Sequence, residues 1–548
     1  MKRALSILLV LLLLTPGIVV FAEESISTQT VVSLDDPEFY DFGDFRYIIL
    51  DDGTAEITDW RGKTEELAVP AELDGVQVTV IGKGAISPGR EPALTRLVFS
   101  EGITTLRRLS ISCNTLQEIV IPDSLVSLEG NPFCEVGPKC EFHFSESHPV
   151  LEMREGMLFS KPDNRLLCCP QGNIPRKLVI PANTEIIEES VFWYSTEIRS
   201  VSFPDSLREI RQYAFTGCEN LQSLTLPNSI KSIGWYAFGN CEHLKTVKLN
   251  EGLESIGPWV FQNCVRLEKI NLPKTLKDFE ANPFIGCTKL KTVTIAKNHP
   301  YLKMVKNVLF TKDGTTLLWY PCRLSASKYT IPKGTQIIAP DAFDGCRLRT
   351  VSIPGTVTTI GESAFAYSYN LNRVTLPDSV TSLGYGAFYL CNYMNRATLS
   401  ANLIELPEML FGGCERLKSV TLPEGIREIP KWCFSSCTSL EEINIPASVS
   451  VIGENAFGGC EKLRKVNLPE GLTEIKKEAF SGCKSLESLT IPASVRIIGK
   501  NAFILRDYSY RRESPMFIPL IVSRGSKAEA YCQENELEYS YIDEIVAN

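Results

Sequence analysis

The sequence predicts a solenoid, mainly β with short helical turns, about 23 residues per coil, with parallel stacked strands and a cap at each end. Three observations predict it. A unit of 23 residues, clearest at 214–236, recurs in register at 237–259, 260–282, 410–432, 433–455, 456–478 and 479–501. Its pattern, A-F-x-x-C-x-x-L-x-x-V-x-L-P-x-S-V-x-x-I-G-x-x, gives one unit too little apolar surface to bury alone, whereas stacked units share a core. Cysteines mark the same period: Cys218, Cys241, Cys264 and Cys287, then Cys391, Cys414, Cys437, Cys460 and Cys483.

Taken in order, the chain opens on Lys2 and Arg3, an apolar run, and the small residues Val20 and Ala22 before Glu23. Residues 1–22 read as a secretory signal peptide. The run holds no cysteine to carry a lipid, and no later stretch reaches the ~18 apolar residues of a membrane span. The mature chain is therefore expected to be secreted or extracellular, at most non-covalently attached to a cell surface, and not inserted in a membrane. Residues 23–84 are a leader and N-terminal cap, with a hairpin over 45–57 turning at Asp51-Asp52-Gly53.

A first repeat array covers 85–141. A longer, hairpin-containing repeat covers 142–190, beginning His148-Pro149 and following Asn131-Pro132-Phe133. The second array is 191–295, and a second hairpin-containing repeat, 296–341, has the matching His299-Pro300 after Asn282-Pro283-Phe284. The third array is 342–505. The C-terminal cap, 506–548, holds a helix over 527–535 started by Ser526 and a last strand at 537–542.

Within a unit, Leu-x-x-Val-x-Leu is a strand with apolar residues inward, ended by proline, which cannot donate to a ladder. Val-x-x-Ile-Gly returns to the core, the glycine permitting a tight turn. Ala-Phe-x-x-Cys buries a methyl, a ring and a thiol. Eighteen cysteines in an exported chain suggest disulfides. Parallel side chains roughly 4.8 Å apart do not converge as a disulfide's Cβ pair must, to about 3.8 Å. The column therefore reads as free thiols acting as small apolar fillers. Cys134, Cys140, Cys168 and Cys169 lie off it, and their pairing is not fixed by spacing.

The units resemble the BspA-like, treponemal-type leucine-rich repeats. The resemblance rests on A-F-x-x-C, L-P-x-S-V-x-x-I-G, the H-P-x-L hairpin unit and the G-S-x-A-E-x-Y-x-x-E-N tail, and covers nearly all of the mature chain. It implies a secreted or surface-exposed bacterial protein, some relatives being adhesins toward host matrix proteins.

No catalytic constellation is legible. The four histidines, His143, His148, His243 and His299, form no H-E-x-x-H, and no nucleophile elbow or phosphate-binding glycine loop occurs. Cys433 and Cys437 fill the alanine and cysteine positions of one coil, without a partner histidine. No enzyme, cofactor or metal is expected. The net charge of -9 and the absence of a basic run disfavour nucleic acid.

Two surfaces remain. One is the outward strand position: Ser202, Thr225, Lys248, Asn271, Thr294, Ser352, Thr375, Thr398, Thr421, Asn444, Asn467 and Thr490. Its short polar residues suit a solvated sheet and equally a broad surface for a large partner. The other is an aromatic stripe: Tyr213, Tyr236 and Trp259 just before the alanine position, with Trp235, Trp193 and Tyr194 beside them. Elsewhere that position holds Ser190, Asp341, Ser363, Asn455 or Glu478, so the fold requires no aromatic there. The stripe is either a shield for the second array or its ligand-binding patch. The reading is a monomeric, non-catalytic binding protein, an adhesin or scaffold for an extracellular protein partner. The alternative is a cell-surface or dietary polysaccharide.

Overall fold

A computed structural model describes residues 38–546, apart from 89–92, 135, 137–139, 171–173, 280, 323, 325 and 506–515. The signal peptide and most of the leader lie outside the described residues. The chain forms about 20 turns of a parallel β-solenoid with ~23 residues per coil.

A regular coil contributes to three backbone ladders. Front strands are the Leu-x-x-Val-x-Leu segments, as in Ser223–Thr225 and Thr246–Lys248, which pair in parallel with Leu224 opposite Val247. Back strands are two-residue pieces such as Ser232–Ile233 and Ser255–Ile256, also parallel. A third ladder runs along the turn edge, where Phe215 N–H donates to the Ala237 carbonyl at 2.8 Å and Phe238 N–H to that of Val260 at 2.9 Å. The short helical turns expected here are single i→i+3 turns, such as Cys218 N–H to the Phe215 carbonyl at 3.2 Å. Left-handed residues interrupt them, so no helix is continued.

The phenylalanines form one column through the core. Phe215 and Phe238 stack at 5.2 Å, and Phe434 and Phe457 at 5.5 Å, with planes within 6° and 5° of parallel. All four are fully buried. Burying such a side chain contributes about 1.5–3 kcal/mol, and every coil repeats the gain.

The column cysteines are unpaired and buried, and they do more than fill space. Each Sγ donates to the carbonyl of the phenylalanine 26 residues earlier: Cys241 to Phe215 and Cys264 to Phe238 at 3.3 Å, Cys437 to Phe411 at 3.2 Å. Ser368 holds the same place with Oγ 2.8 Å from the Phe343 carbonyl, so a hydroxyl substitutes without breaking the coil. Off the column, burial holds the thiols of Cys140 and Cys169 protonated, pushed up to about 12.

The glycine after the back strand has a reason other than a tight turn. Gly234, Gly384 and Gly499 lie outside the left-handed region, but a Cβ on them would come within 2.6, 2.2 and 2.3 Å of the backbone nitrogens of Gln212, Glu362 and Lys477 in the preceding coil. The missing side chain lets neighbouring coils close.

Two antiparallel hairpins interrupt the front face. Leu151–Arg154, Met157–Ser160 and Arg165–Cys168 join the back sheet, as do Leu302–Val305, Val308–Thr311 and Thr316–Trp319. The first hairpin wedges between two core bodies: Leu158 and Leu167 face the N-terminal one, Phe159 and Leu166 the long C-terminal one. Burial on both faces explains its unbroken apolar run. The H-P-x-L motif fixes each hairpin's entry. His148 Nδ1 accepts from Leu151 N–H at 3.1 Å while Nε2 lies 3.1 Å from the Pro122 carbonyl. His299 repeats this with Leu302 at 3.1 Å and Pro273 at 2.8 Å.

At the N-terminal end, Phe45–Ile49 and Ala55–Trp60 pair antiparallel and lead into the first back sheet. The C-terminal helix spans Lys527–Glu534, with the Ser526 hydroxyl accepting from Glu529 N–H at 3.2 Å. No helix among the described residues is long and apolar enough to cross a membrane.

Candidate binding surface

The turn edge carries all six aromatic candidates, four of them at two positions that are left-handed in coil after coil and Trp193 and Trp235 just before such a position. One precedes the alanine position: Tyr213, Tyr236 and Trp259 have φ of 58°, 58° and 57°. The other precedes the cysteine: Tyr194 has φ of 52°, and Gly217 and Gly459 occupy the same place. A residue with a Cβ loses about 1–2 kcal/mol in this conformation. Bonds between coils hold it: Tyr213 N–H donates to the Trp235 carbonyl at 3.0 Å and Tyr236 N–H to that of Pro258 at 3.1 Å.

Four of the candidates form one cluster. Tyr213 lies 5.0 Å from Trp235 and 5.6 Å from Tyr236, and Trp235 lies 5.5 Å from Trp259, ring to ring. Trp193 and Tyr194 meet edge-on at 4.8 Å one coil earlier. The Tyr194 ring covers Gly217, where a Cβ would come within 2.8 Å of it, and the Tyr236 ring covers Gly239. Only Tyr194 is exposed, at 39 %; the other five are half-buried. Burial, with Tyr194 as a lesser contributor, pushes the Tyr236 phenol up to about 12, so it is a neutral donor at any physiological pH. The Trp235 indole N–H is buried with no acceptor, a desolvation cost of about 1–3 kcal/mol.

Trp259 has a structural task. Its Nε1 donates to Asp341 Oδ2 at 2.7 Å, across the second hairpin, and Asn282 Nδ2 donates to the Asp341 carbonyl at 3.0 Å. The first hairpin is closed in the same way with different chemistry. There Arg108 Nε bonds Glu189 Oε1 at 2.6 Å and Asn131 Nδ2 donates to the Glu189 carbonyl at 2.7 Å. Asp341 is 4 % exposed. Its carboxyl is pushed up to about 7, chiefly by burial and further by Glu362, against the Trp259 hydrogen bond.

Periodicity alone did not single out a second set of rings on this edge. Tyr369, Tyr385 and Tyr393 are exposed at 49 %, 42 % and 49 %. Arg416 lies over the Tyr393 ring at 4.0 Å, and Tyr385 donates to the Met409 sulfur at 3.2 Å. They stand at several different positions of the unit, so no single column marks them. The polar strand ladder, by contrast, stands in register: Thr375 faces Thr398, Thr398 faces Thr421, and Asn444 faces Asn467.

Among the described residues, no group of three or more His, Cys, Asp or Glu is arranged to hold a metal ion. The repeat is decisive for kinship. Six copies of the BspA type leucine rich repeat region match residues 174–310, 318–441 and 387–508. The chain belongs to the BspA-type leucine-rich repeat family. The hairpins and the turn-edge cluster are thus features set on a BspA-type solenoid.

Solved structures similar to this BspA-type chain include a leucine rich cell surface protein from Faecalibacterium prausnitzii, 23% identical over 85% of this chain and 95% of that one, TM-score 0.36. The pneumococcal vaccine antigen PcpA is 19% identical over 92% and 98%, TM-score 0.43. A leucine-rich repeat protein from Bacteroides ovatus is 21% identical over 92% and 99%, TM-score 0.34. No curated protein matches the chain.

Proposed function

We propose that this is an exported, non-catalytic binding protein, an adhesin or interaction scaffold for proteins on host or neighbouring cells, and that the turn edge of the second array is its contact patch. The observation that carries this is the ring cluster itself. Tyr213, Tyr236 and Trp259 occupy a left-handed position where Ser363 and Asn455 serve other coils equally well. The cluster also keeps an indole N–H without an acceptor. The left-handed backbone is common to the coils; what sets this edge apart is the rings placed on it, and a buried polar group left unmet among them is a feature of sites that bind. Adjacent rings desolvate together, and truncating one at an interface centre often costs about 2 kcal/mol or more.

Trp259 is the wrong residue to test, because it also supports Asp341. The test is residues 23–548, wild type and Tyr194→Ala/Tyr213→Ala, against an array of extracellular matrix and cell-surface proteins. Binding is expected to weaken at least tenfold, about 1.4 kcal/mol, with the thermal midpoint still cooperative. Thr421→Ala on the strand face is the comparison. Normal binding by the ring variant with loss in the Thr421 variant would move the site to the sheet.

A further inference from the structure

The sequence shows no basic run, yet stacking builds a basic face. Consider the front strands of the two middle sheets, from Lys177–Val179 to Thr292–Ile295 and from Lys328–Thr330 to Ser419–Thr421. Their residues include Lys177, Lys248, Lys269, Lys328, Arg373 and Arg396, all exposed, and not one aspartate or glutamate. This stands in a chain with 65 acids and 56 bases, net charge -9. Among the described residues none of the six cations makes an ion pair, although Arg, Lys and acid residues are paired at many other places, as in Lys231–Glu254–Lys277.

The first front sheet shows the ordinary solution. Arg96 stands in register between Glu66 and Glu118 and bonds Glu118 at 3.0 Å. In the last array Glu442 faces Lys465. Arg373, however, faces Arg396 directly, and like charges so placed are destabilising. Apart from the exposed Val179 on the first strand, the remaining outward positions are hydroxyls and amides, among them Ser202, Thr225, Asn271, Thr294, Ser352 and Thr375, all exposed. Glu268 is the one carboxylate immediately flanking these strands, just before Lys269.

We propose that this front face binds a linear anionic polysaccharide. Guanidinium and ammonium groups meet sulfate and carboxylate groups, while the rows of hydroxyls and amides meet sugar hydroxyls. A five-stranded sheet offers roughly 19 Å of such surface along its stacking direction, at about 4.8 Å per strand. Nucleic acid fits less well. The outward rows of these strands carry no aromatic ring, and single strands are held largely by base stacking on rings. A duplex, with a charge every ~1.7 Å, would run on toward the carboxylates of Glu66, Glu118 and Glu141 at one end and Glu442 at the other. The inference gives the polysaccharide alternative a site of its own and does not rest on the ring cluster.

The experiment uses residues 23–548 and heparin as the probe, with neutral dextran and a 20-base-pair DNA duplex beside it. Wild type is expected to bind heparin, to release it as salt is raised, and to ignore dextran. Lys269→Gln/Arg373→Gln/Arg396→Gln is expected to lose at least tenfold in affinity. Lys462→Gln/Lys477→Gln/Lys500→Gln removes equal charge from other faces and is expected to bind normally. All six side chains are exposed, and Arg373→Gln alone should leave the thermal midpoint unchanged or raised, which reads the opposed pair independently of any ligand. Tyr194→Ala/Tyr213→Ala should retain heparin, so this inference and the ring-cluster reading fail separately. Absence of heparin binding, equal loss in the control variant, or duplex DNA binding as tightly as heparin through the same residues would each overturn the proposal.

Discussion

At the residue scale, the repeat chooses side chains for bonds as much as for volume. The cysteine position shows this best. A thiol that only filled space would be matched by alanine or valine, yet the chain turns to serine: the Ser368 hydroxyl reaches the same carbonyl, while that of the buried Ser195 finds no partner. Cys264→Ser is therefore expected to lower the thermal midpoint less than Cys264→Ala. The alanine leaves the Phe238 carbonyl without its Sγ donor, a loss of about 1–3 kcal/mol. Equal or reversed effects would restore the filler reading. The cysteine column and the inward phenylalanines were legible in the sequence because they recur at one period. What they bond to was not, since the acceptor lies 26 residues away in another coil. The glycine of the back strand was misread for a similar reason: its constraint is a neighbouring coil's backbone, not its own φ.

At the scale of the element, the hairpins and the coils they join behave as a unit. Both hairpins are visible in sequence through H-P-x-L and the preceding Asn-Pro-Phe. The latch that closes the second one, Trp259 on Asp341, joins residues 82 apart and carries no motif. It brings a pH dependence. In the unfolded chain Asp341 ionises near pH 4, whereas in the fold its carboxyl keeps its proton to about pH 7. Between these values the folded state binds more protons, so stability falls as pH rises through the window. Asp344, raised by burial and by Asp341, and Glu362, raised by burial, act in the same direction. The thermal midpoint is expected to be higher at pH 5 than at pH 8. Asp341→Asn, whose amide oxygen can still accept from Trp259, should remove a large part of the difference, on the order of 3 kcal/mol. An unchanged difference in that variant would mean that Asp341 does not titrate in this range.

At the scale of the molecule, the two candidate surfaces differ in how they arise. The ring cluster was readable because its members recur at one position of three consecutive units. The basic face was not, because its cations fall at two different strand positions with uncharged coils between them, and only stacking sums them. The same architecture has a mechanical consequence. The column thiols are unpaired, so along the column no covalent staple joins one coil to the next. Tension between the two caps loads the ladders one coil after another. Each released coil of 23 residues pays out roughly 75 Å of chain, at about 3.3–3.6 Å per residue. Pulled by its ends in a force-spectroscopy experiment, the chain is expected to lengthen in steps of that size or small multiples of it, and a single all-or-none rupture would contradict the picture. Tethered between two surfaces, it would work as an extensible spring that dissipates load while its far end stays attached.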